Sequence, residues 1–500
     1  MKNKGNLLLG ATLLLVFGAG IVNCKKDSSI TPKTPVVVIK DTSIINRFIY
    51  KGLKTYYLWT DDVSTLANTK YDNADSLNVF LNGYPDPQKF FNSLLYEPTT
   101  IDKWSALVSD STTLDNILMG ISETMGYEFG LSYIGSTGSD IFGYVRYVYK
   151  GSPAEKAGIK RGDLFLKVND TQLTDANYET LLFNTISYKL SFASLTPTTT
   201  GYTIATNGKS VNMTAVTMQE NPILLDTVLT VNNLKVGYLV YNAFNSDYDI
   251  QLNDTVFKKF KDANIDKLVL DLRYNGGGSV QTAKYLASMI YGPATTSVFL
   301  KSQYNAAWQN YIISTEGAAS LSENFVSSIA QTSKTPETPI NSVNLKELYV
   351  ITSKRTASAS ELLINGLIPY MNVYMVGSYT TGKYVASTTI TDRYVNGNTN
   401  NKYAMQPIIV KIANANNVTD FTNGLAPDFS ATEDIGFLLP FGDPNETLLK
   451  PVLNKILGLP LTSISLKSEK LGLKEFMDSR TRRPYSQDMY IPKLLKHPIR

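Results

Sequence analysis

Two stretches of the chain concentrate side chains and backbone from which chemistry can be made. The first, Leu270-Asp271-Leu272-Arg273-Tyr274-Asn275-Gly276-Gly277-Gly278, reads as a buried strand running into a glycine turn that opens a helix. Glycines in such a turn let backbone amides face a cavity with no Cβ in the way, which is how an oxyanion or a phosphate is held. The phosphate alternative lacks both the Walker Gly-Lys-Ser/Thr spacing and a GxGxxG pattern; a purely structural turn is the other alternative. The second stretch, Thr352-Ser353-Lys354-Arg355-Thr356-Ala357-Ser358-Ala359-Ser360-Glu361, is again a strand end leading into a helix. A hydroxyl there is most often an N-cap. Gly382-Lys383 follows the next strand, and a lysine can act as general base where no histidine is at hand.

Histidine is indeed scarce. The 500 residues hold one Cys, Cys24, and one His, His497, which excludes Cys/His zinc sites, intramolecular disulfides and histidine metal clusters. A Ser-His-Asp triad would have to recruit His497 from a basic C-terminal tail. Lys+Arg 47 against Asp+Glu 43 gives a net charge of only +4, and the charged fraction of 18% is below the roughly 25% of a typical soluble domain. A nucleic-acid binder working through a basic field is thereby disfavoured. With 31 Tyr and 20 Phe the chain has the apolar mass to fill cores, and its length calls for several compact units.

The elements that must position the two stretches alternate. Val236 to Tyr241, Lys267 to Arg273, Leu348 to Ser353 and Val373 to Val376 are strand-like, while Val280 to Ile290 and Ala359 to Tyr370 are helical, which predicts an α/β layer built on a sheet. Polar stretches near 304–340 and 391–402 read as surface excursions. Upstream, Ile45, Phe48, Ile49, Leu53, Tyr56 and Trp59 recur at helical steps and predict a small helical domain over 41–115, its aromatic stripe serving packing. Between them, over 120–220, short strands surround Gly151-Ser152-Pro153 through Gly158 and Gly162-Asp163 to Asn169-Asp170. There Pro153 opens a short helix, Gly158 ends it in a left-handed cap, and Gly162-Asp163 turns into a strand, Leu164 to Val168.

That string resembles a PDZ domain, and Glu128-Phe129-Gly130-Leu131 occupies the place of its carboxylate-binding loop, with Glu128 where the family has a glycine. The DLRxNxGG strand end, the Thr356-Ala357-Ser358-Ala359-Ser360-Glu361 motif and Lys383, 25 residues after Ser358, resemble the carboxyl-terminal processing (tail-specific) serine peptidases. The likeness spans about 120–450, including Gly424 to Asp428. It implies Ser358 as nucleophile, Lys383 as general base, and the amides of Gly277 and Ala359 as oxyanion donors. Many family members place a Gln four residues after the lysine to orient it; this chain has Ser387. The implied fold is multidomain α/β: the helical domain, a PDZ-like β-rich domain, and an α/β sheet protease core over 230–450 resembling the ClpP/crotonase-like fold, then an extension over 451–500. No metal and no organic cofactor is implied.

The first residues read as an address. Lys2 and Lys4 precede an uncharged apolar run from Leu7 to Val22, too short to span a bilayer, and Ile21-Val22-Asn23-Cys24 resembles a bacterial lipobox. The expectation is a signal peptide over 1–23, lipidation at Cys24 and a polar, Pro-bearing tether to residue 40. Such a protein would be exported and anchored to the cell envelope, on its periplasmic or cell-surface side, with the outer membrane as expected home. The composite expectation is a lipid-anchored endopeptidase that cuts proteins or peptides near accessible C-termini, with the PDZ domain selecting or gating them. The alternative is a catalytically silent PDZ-bearing relative that binds peptides or envelope proteins; solute or glycan binding by the tyrosine-rich surface has no local motif behind it.

Overall fold

The computed structural model describes residues 41–491, apart from 136–137, 200, 333–334, 398–400, 463–465 and 483–486. The expected signal peptide, Cys24, the tether and His497 lie outside the described residues. A six-stranded sheet forms the centre, in the order Ile223–Val231, Leu234–Tyr241, Lys267–Asp271, Glu347–Thr352, Asn372–Gly377 and Phe429–Ser430. Its first pair is antiparallel and the rest are parallel. The parallel strands follow one another in chain order, and the connections include the helices Val280–Tyr291 and Ala359–Leu367.

Burial on both faces explains why these strands read as continuous apolar runs. Leu239, Leu268, Leu270, Leu348 and Val350 face a large core filled by those helices, and Tyr238, Val240, Val269, Tyr349 and Ile351 face a second core closed by the helix Leu449–Ile456. The N-terminal helices share the first core: Phe48, Ile49, Leu53 and Tyr56 of the helix Asp41–Tyr56 are wholly buried in it. The strand Ala106–Val108 pairs with Ala404–Gln406 of the protease-like region, so the helical segment is stitched to the sheet region rather than hung from it.

A separate sheet over 127–214 carries the PDZ-like part. The helix Pro153–Lys156, the positive φ of Gly158 (+75°) and Gly162 (+89°), and the strand Leu164–Val168 stand where the sequence places them. The two stretches expected as surface excursions carry elements of their own. Residues 304–340 include the helix Ala306–Glu316, which buries Trp308 and Ile312, spaced four apart on one face, while its polar residues hide that narrow stripe in the sequence. Residues 391–402 include the short helix Asp392–Asn396. Among the described residues no helix is long and apolar enough to cross a membrane.

Candidate active site

The two chemistry-bearing stretches meet at the carboxyl ends of neighbouring parallel strands, Lys267–Asp271 and Glu347–Thr352, the end of an α/β sheet at which ligands bind. The turn after the first strand receives the loop after the second. Thr356 Oγ1 donates to Leu272 O (2.8 Å), Ala357 N–H to Asn275 O (3.0 Å) and Ser360 Oγ to Asn275 O (3.2 Å). Held in this way, Ser358 takes φ +69° and ψ −116° at the head of the helix Ala359–Leu367. A non-glycine residue in that region costs about 1–3 kcal/mol and persists where the surroundings enforce it, typically at working sites. Ser358 is 0% exposed, and its Oγ has no hydrogen-bond partner among the described residues.

Glu361, three residues on, does the tying. Its Oε2 accepts the N–H of Ser358 (2.7 Å) and of Lys383 (2.9 Å), and its Oε1 accepts the N–H of Gly382 (2.6 Å) and the hydroxyl of Thr380 (2.5 Å). One buried carboxylate thus fixes the serine turn against the lysine loop. Burial pushes the Glu361 carboxyl up from its ordinary range, and the Thr380 hydroxyl and the three amides oppose that shift. Gly382 is required here: its φ is +94°, and a Cβ would stand 2.4 Å from Thr422 O. The sequence shows Glu361 only as the end of the serine motif; its position three residues into the helix, where an acid reaches back to free amides, is the signal that marks it.

Lys383 is fully buried. Its Nζ donates to Gln487 O (3.0 Å) and Asp488 Oδ1 (3.1 Å) and lies 5.5 Å from the centre of the Trp104 ring. It is therefore placed in the same site as Ser358 but engaged with the C-terminal segment instead of the hydroxyl. Ser387, expected to orient the lysine, does so at one remove: its Oγ is 3.1 Å from Asp488 Oδ1 and 3.1 Å from Met489 O. The oxyanion expectation also shifts. Gly277 N–H is committed to Asn275 Oδ1 (2.9 Å), whereas the next amide, Gly278 N–H, meets a carbonyl, that of Asp488, at 2.6 Å. Ala359 heads the helix beside Ser358.

Glu128-Phe129-Gly130-Leu131 is not a loop. All four residues lie inside the strand Tyr127–Tyr133 and are buried, because the strand Glu475–Asp478 is laid along its edge. Asp488, Trp104 and Glu475 were not legible as site residues, since each arrives from a distant part of the chain.

Comparison with known proteins supplies the family. The model of peptidase family S41 matches residues 235–430, that of the S41 N-terminal domain residues 44–106, and a PDZ model residues 144–180. A Staphylococcus aureus protein named "Probable CtpA-like serine protease" is 25% identical over 332 residues, covering 64% of this chain and 59% of its own length. A namesake from Staphylococcus saprophyticus is 26% identical over 241 residues, 48% of this chain and 42% of its own. The matched stretch thus spans less than two thirds of either relative. A crystal structure described as an S41 protease from Bacteroides fragilis superposes with a TM-score of 0.63 at 23% identity, covering 82% of this chain and 97% of that one, a likeness of fold. The chain, with its N-terminal domain, PDZ domain and catalytic-type core, belongs to peptidase family S41.

Proposed function

We propose that the protein is a serine endopeptidase of the C-terminal processing type, with Ser358 as nucleophile and Lys383 as general base. The observation that carries this reading is the Glu361 carboxylate, which binds the backbones of both residues and so fixes the strained serine beside the buried lysine. Curated relatives are named serine proteases, in keeping with it. Neutral Lys383 takes the proton of Ser358 Oγ as the oxygen attacks a peptide carbonyl. The oxyanion forms against the amides of Gly278 and Ala359, and the ammonium then returns the proton to the leaving amine. Water, deprotonated by the same lysine, hydrolyses the acyl-enzyme. The protein is further read as a lipoprotein held to the envelope through Cys24, acting on proteins or peptides with accessible C-termini.

The test is proteolysis of an unfolded protein by purified residues 25–500, with fragments identified by mass spectrometry. Ser358→Ala and Lys383→Ala should each lower cleavage by more than about a hundredfold with circular dichroism unchanged, because the pair acts as a unit. A Lys383→Ala variant that cleaves at the wild-type rate refutes the assignment. For the anchor, Cys24→Ser should move the protein from the membrane to the soluble fraction.

A further inference from the structure

A peptidase that works on chains must leave a groove open at its nucleophile and, if its PDZ domain receives substrate, an open strand edge there. Both places are filled by the C-terminal extension. The strand Glu475–Asp478 adds antiparallel to Tyr127–Tyr133, in the way a peptide adds to a sheet edge. Phe476 packs between Tyr133 and Tyr178, their ring centres 4.8 and 5.5 Å from its own, so the segment lies between that strand and the helix Tyr178–Leu182. Ser479 Oγ accepts the N–H of Phe129 (2.9 Å) and donates to the Glu128 carboxylate.

Further on, the strand Met489–Tyr490 pairs parallel with Gly278–Ser279 and lies against Ser387 on its other side. Ile491 N–H donates to Ser387 O (3.0 Å), and Met489 is 1% exposed. A Cβ placed on Gly277 would stand 2.4 Å from Asp488 O and 3.0 Å from Ser358 Oγ, so the tail's carbonyl is at the nucleophile's side. Asp488 also lines two cavities: one of about 160 Å³ bounded by Asn245, Gly277 and Tyr490, the other of about 280 Å³ bounded by Trp104, Lys383 and Gln487. Asp488 of the tail is thus the lining residue the two cavities have in common.

We infer that two stretches of the C-terminal extension, residues 475–479 and 487–491, are a built-in inhibitor, the first occupying the PDZ edge and the second the catalytic groove of its own chain, where the Asp488 carboxylate holds Lys383 away from Ser358. The inference rests on the Ser358–Lys383 reading. A lysine in an ion pair is the ammonium, with no lone pair to accept the serine proton. An occupant on the same chain acts at a high effective concentration, which free substrate must overcome. Relief comes from whatever displaces the tail, by competition at the PDZ edge or by cutting.

The test uses the full chain in four forms. Asp488→Ala frees the lysine; Met489→Asp expels the strand by placing a charge where a buried methionine sits; each is also made with Ser358→Ala. Two quantities are read: cleavage of unfolded casein, and binding of a fluorescent peptide of sequence 474–491 to the Ser358→Ala forms by anisotropy. Removing a competing occupant raises apparent affinity by the inverse of the competent fraction, so we expect gains of about tenfold or more in cleavage by either variant and in peptide affinity for Met489→Asp/Ser358→Ala. If peptide binding rises and no form cleaves, the tail is the occupant and the serine-lysine reading falls. If folded Asp488→Ala cleaves less than wild type, or if cleavage stays dependent on Ser358 while neither variant changes rate or peptide affinity, the inhibitor reading is overturned.

Discussion

Two charge clusters, at Arg273 and at Arg355, are built on opposite plans. Around Arg273 the partners belong to the sheet and what covers it: Asp271 on the same strand end (2.7 Å), Glu446 ahead of the helix Leu449–Ile456 (2.6 Å), and Glu433, which also holds Arg161 of the PDZ turn (2.7 Å) and the Tyr274 hydroxyl (2.5 Å). Arg273 and Asp271 are wholly enclosed. Around Arg355, three residues before the nucleophile, the acids are Glu475 and Asp478 of the tail, shared with Arg146 of the PDZ sheet, whose distance to Asp478 is 2.7 Å. The first cluster is closed by elements that fold together around the sheet. The second is closed only when the tail is in place. A charge network that supports the glycine turn is therefore permanent, while the one that touches the serine loop is a removable lock.

The largest effect expected from this difference is that of Arg273→Met. It leaves Asp271 a buried carboxylate without its cation and Glu446 with only Arg161, at 3.3 Å, a loss of about 3–5 kcal/mol for one partner of an enclosed pair. Urea denaturation should show the whole chain destabilised and activity lost with it. A variant with wild-type stability would mean that the cluster is not closed as described. Acid should attack the same place. Burial works to raise the Glu433 and Glu446 carboxyls, but the Arg161 and Arg273 charges outweigh it and hold both below the usual range. Their contribution is present above the unfolded carboxylate value of about 4.3 and is lost as pH falls through the lower folded values.

The motif Leu270 to Gly278 was legible because the strand, the glycines and the helix start are consecutive, and so was the PDZ string Gly151 to Asp170; Ser358 and Lys383 were brought together only by a family resemblance, and in the fold their backbones share one carboxylate, that of Glu361. What stayed hidden has one cause. Glu361 makes its bonds through geometry formed only when two loops meet, and the tail's contacts join Phe129 to Ser479 and Lys383 to Asp488, residues with no periodicity or composition in common. Glu128 to Leu131 resembled a loop by motif, but a strand partner from the far end of the chain extends it. Local pattern reads elements; it does not read which edge a distant segment will cover.

Arg355→Met should act on the lock alone. It strands Glu475 and Asp478 only in part, since Arg146 remains, so the loss should be nearer 2 kcal/mol, in the range of hydrogen bonds to charged groups. Hydrogen exchange should speed up in 475–479 and in the facing strand Tyr127–Tyr133 while the central sheet keeps its protection. Uniform loss of protection would erase the distinction between the two clusters.

Asp249 supplies the sharpest control, because it is a buried carboxylate that pairs with no arginine among the described residues. Burial, opposed by the Thr282 hydroxyl and reinforced by the charge of Asp247, pushes it up to about 7, and its Oδ1 has no hydrogen-bond partner among the described residues. The sign is opposite to that of Glu433 and Glu446. The folded chain keeps a proton that the unfolded chain releases above about 3.9, so between there and about 7 stability falls as pH rises, by at most about 1.4 kcal/mol per pH unit from this group. Asp249→Asn removes the titration. Its stability relative to wild type should be lowest near pH 4, climb through pH 5 and 6, and level off above 7, read as the difference in urea midpoints across buffers. A difference that stays flat from pH 4 to 8 would show that Asp249 finds a compensating partner on folding, and a carboxylate enclosed without a cation would then no longer mark what Arg273 contributes to its neighbours.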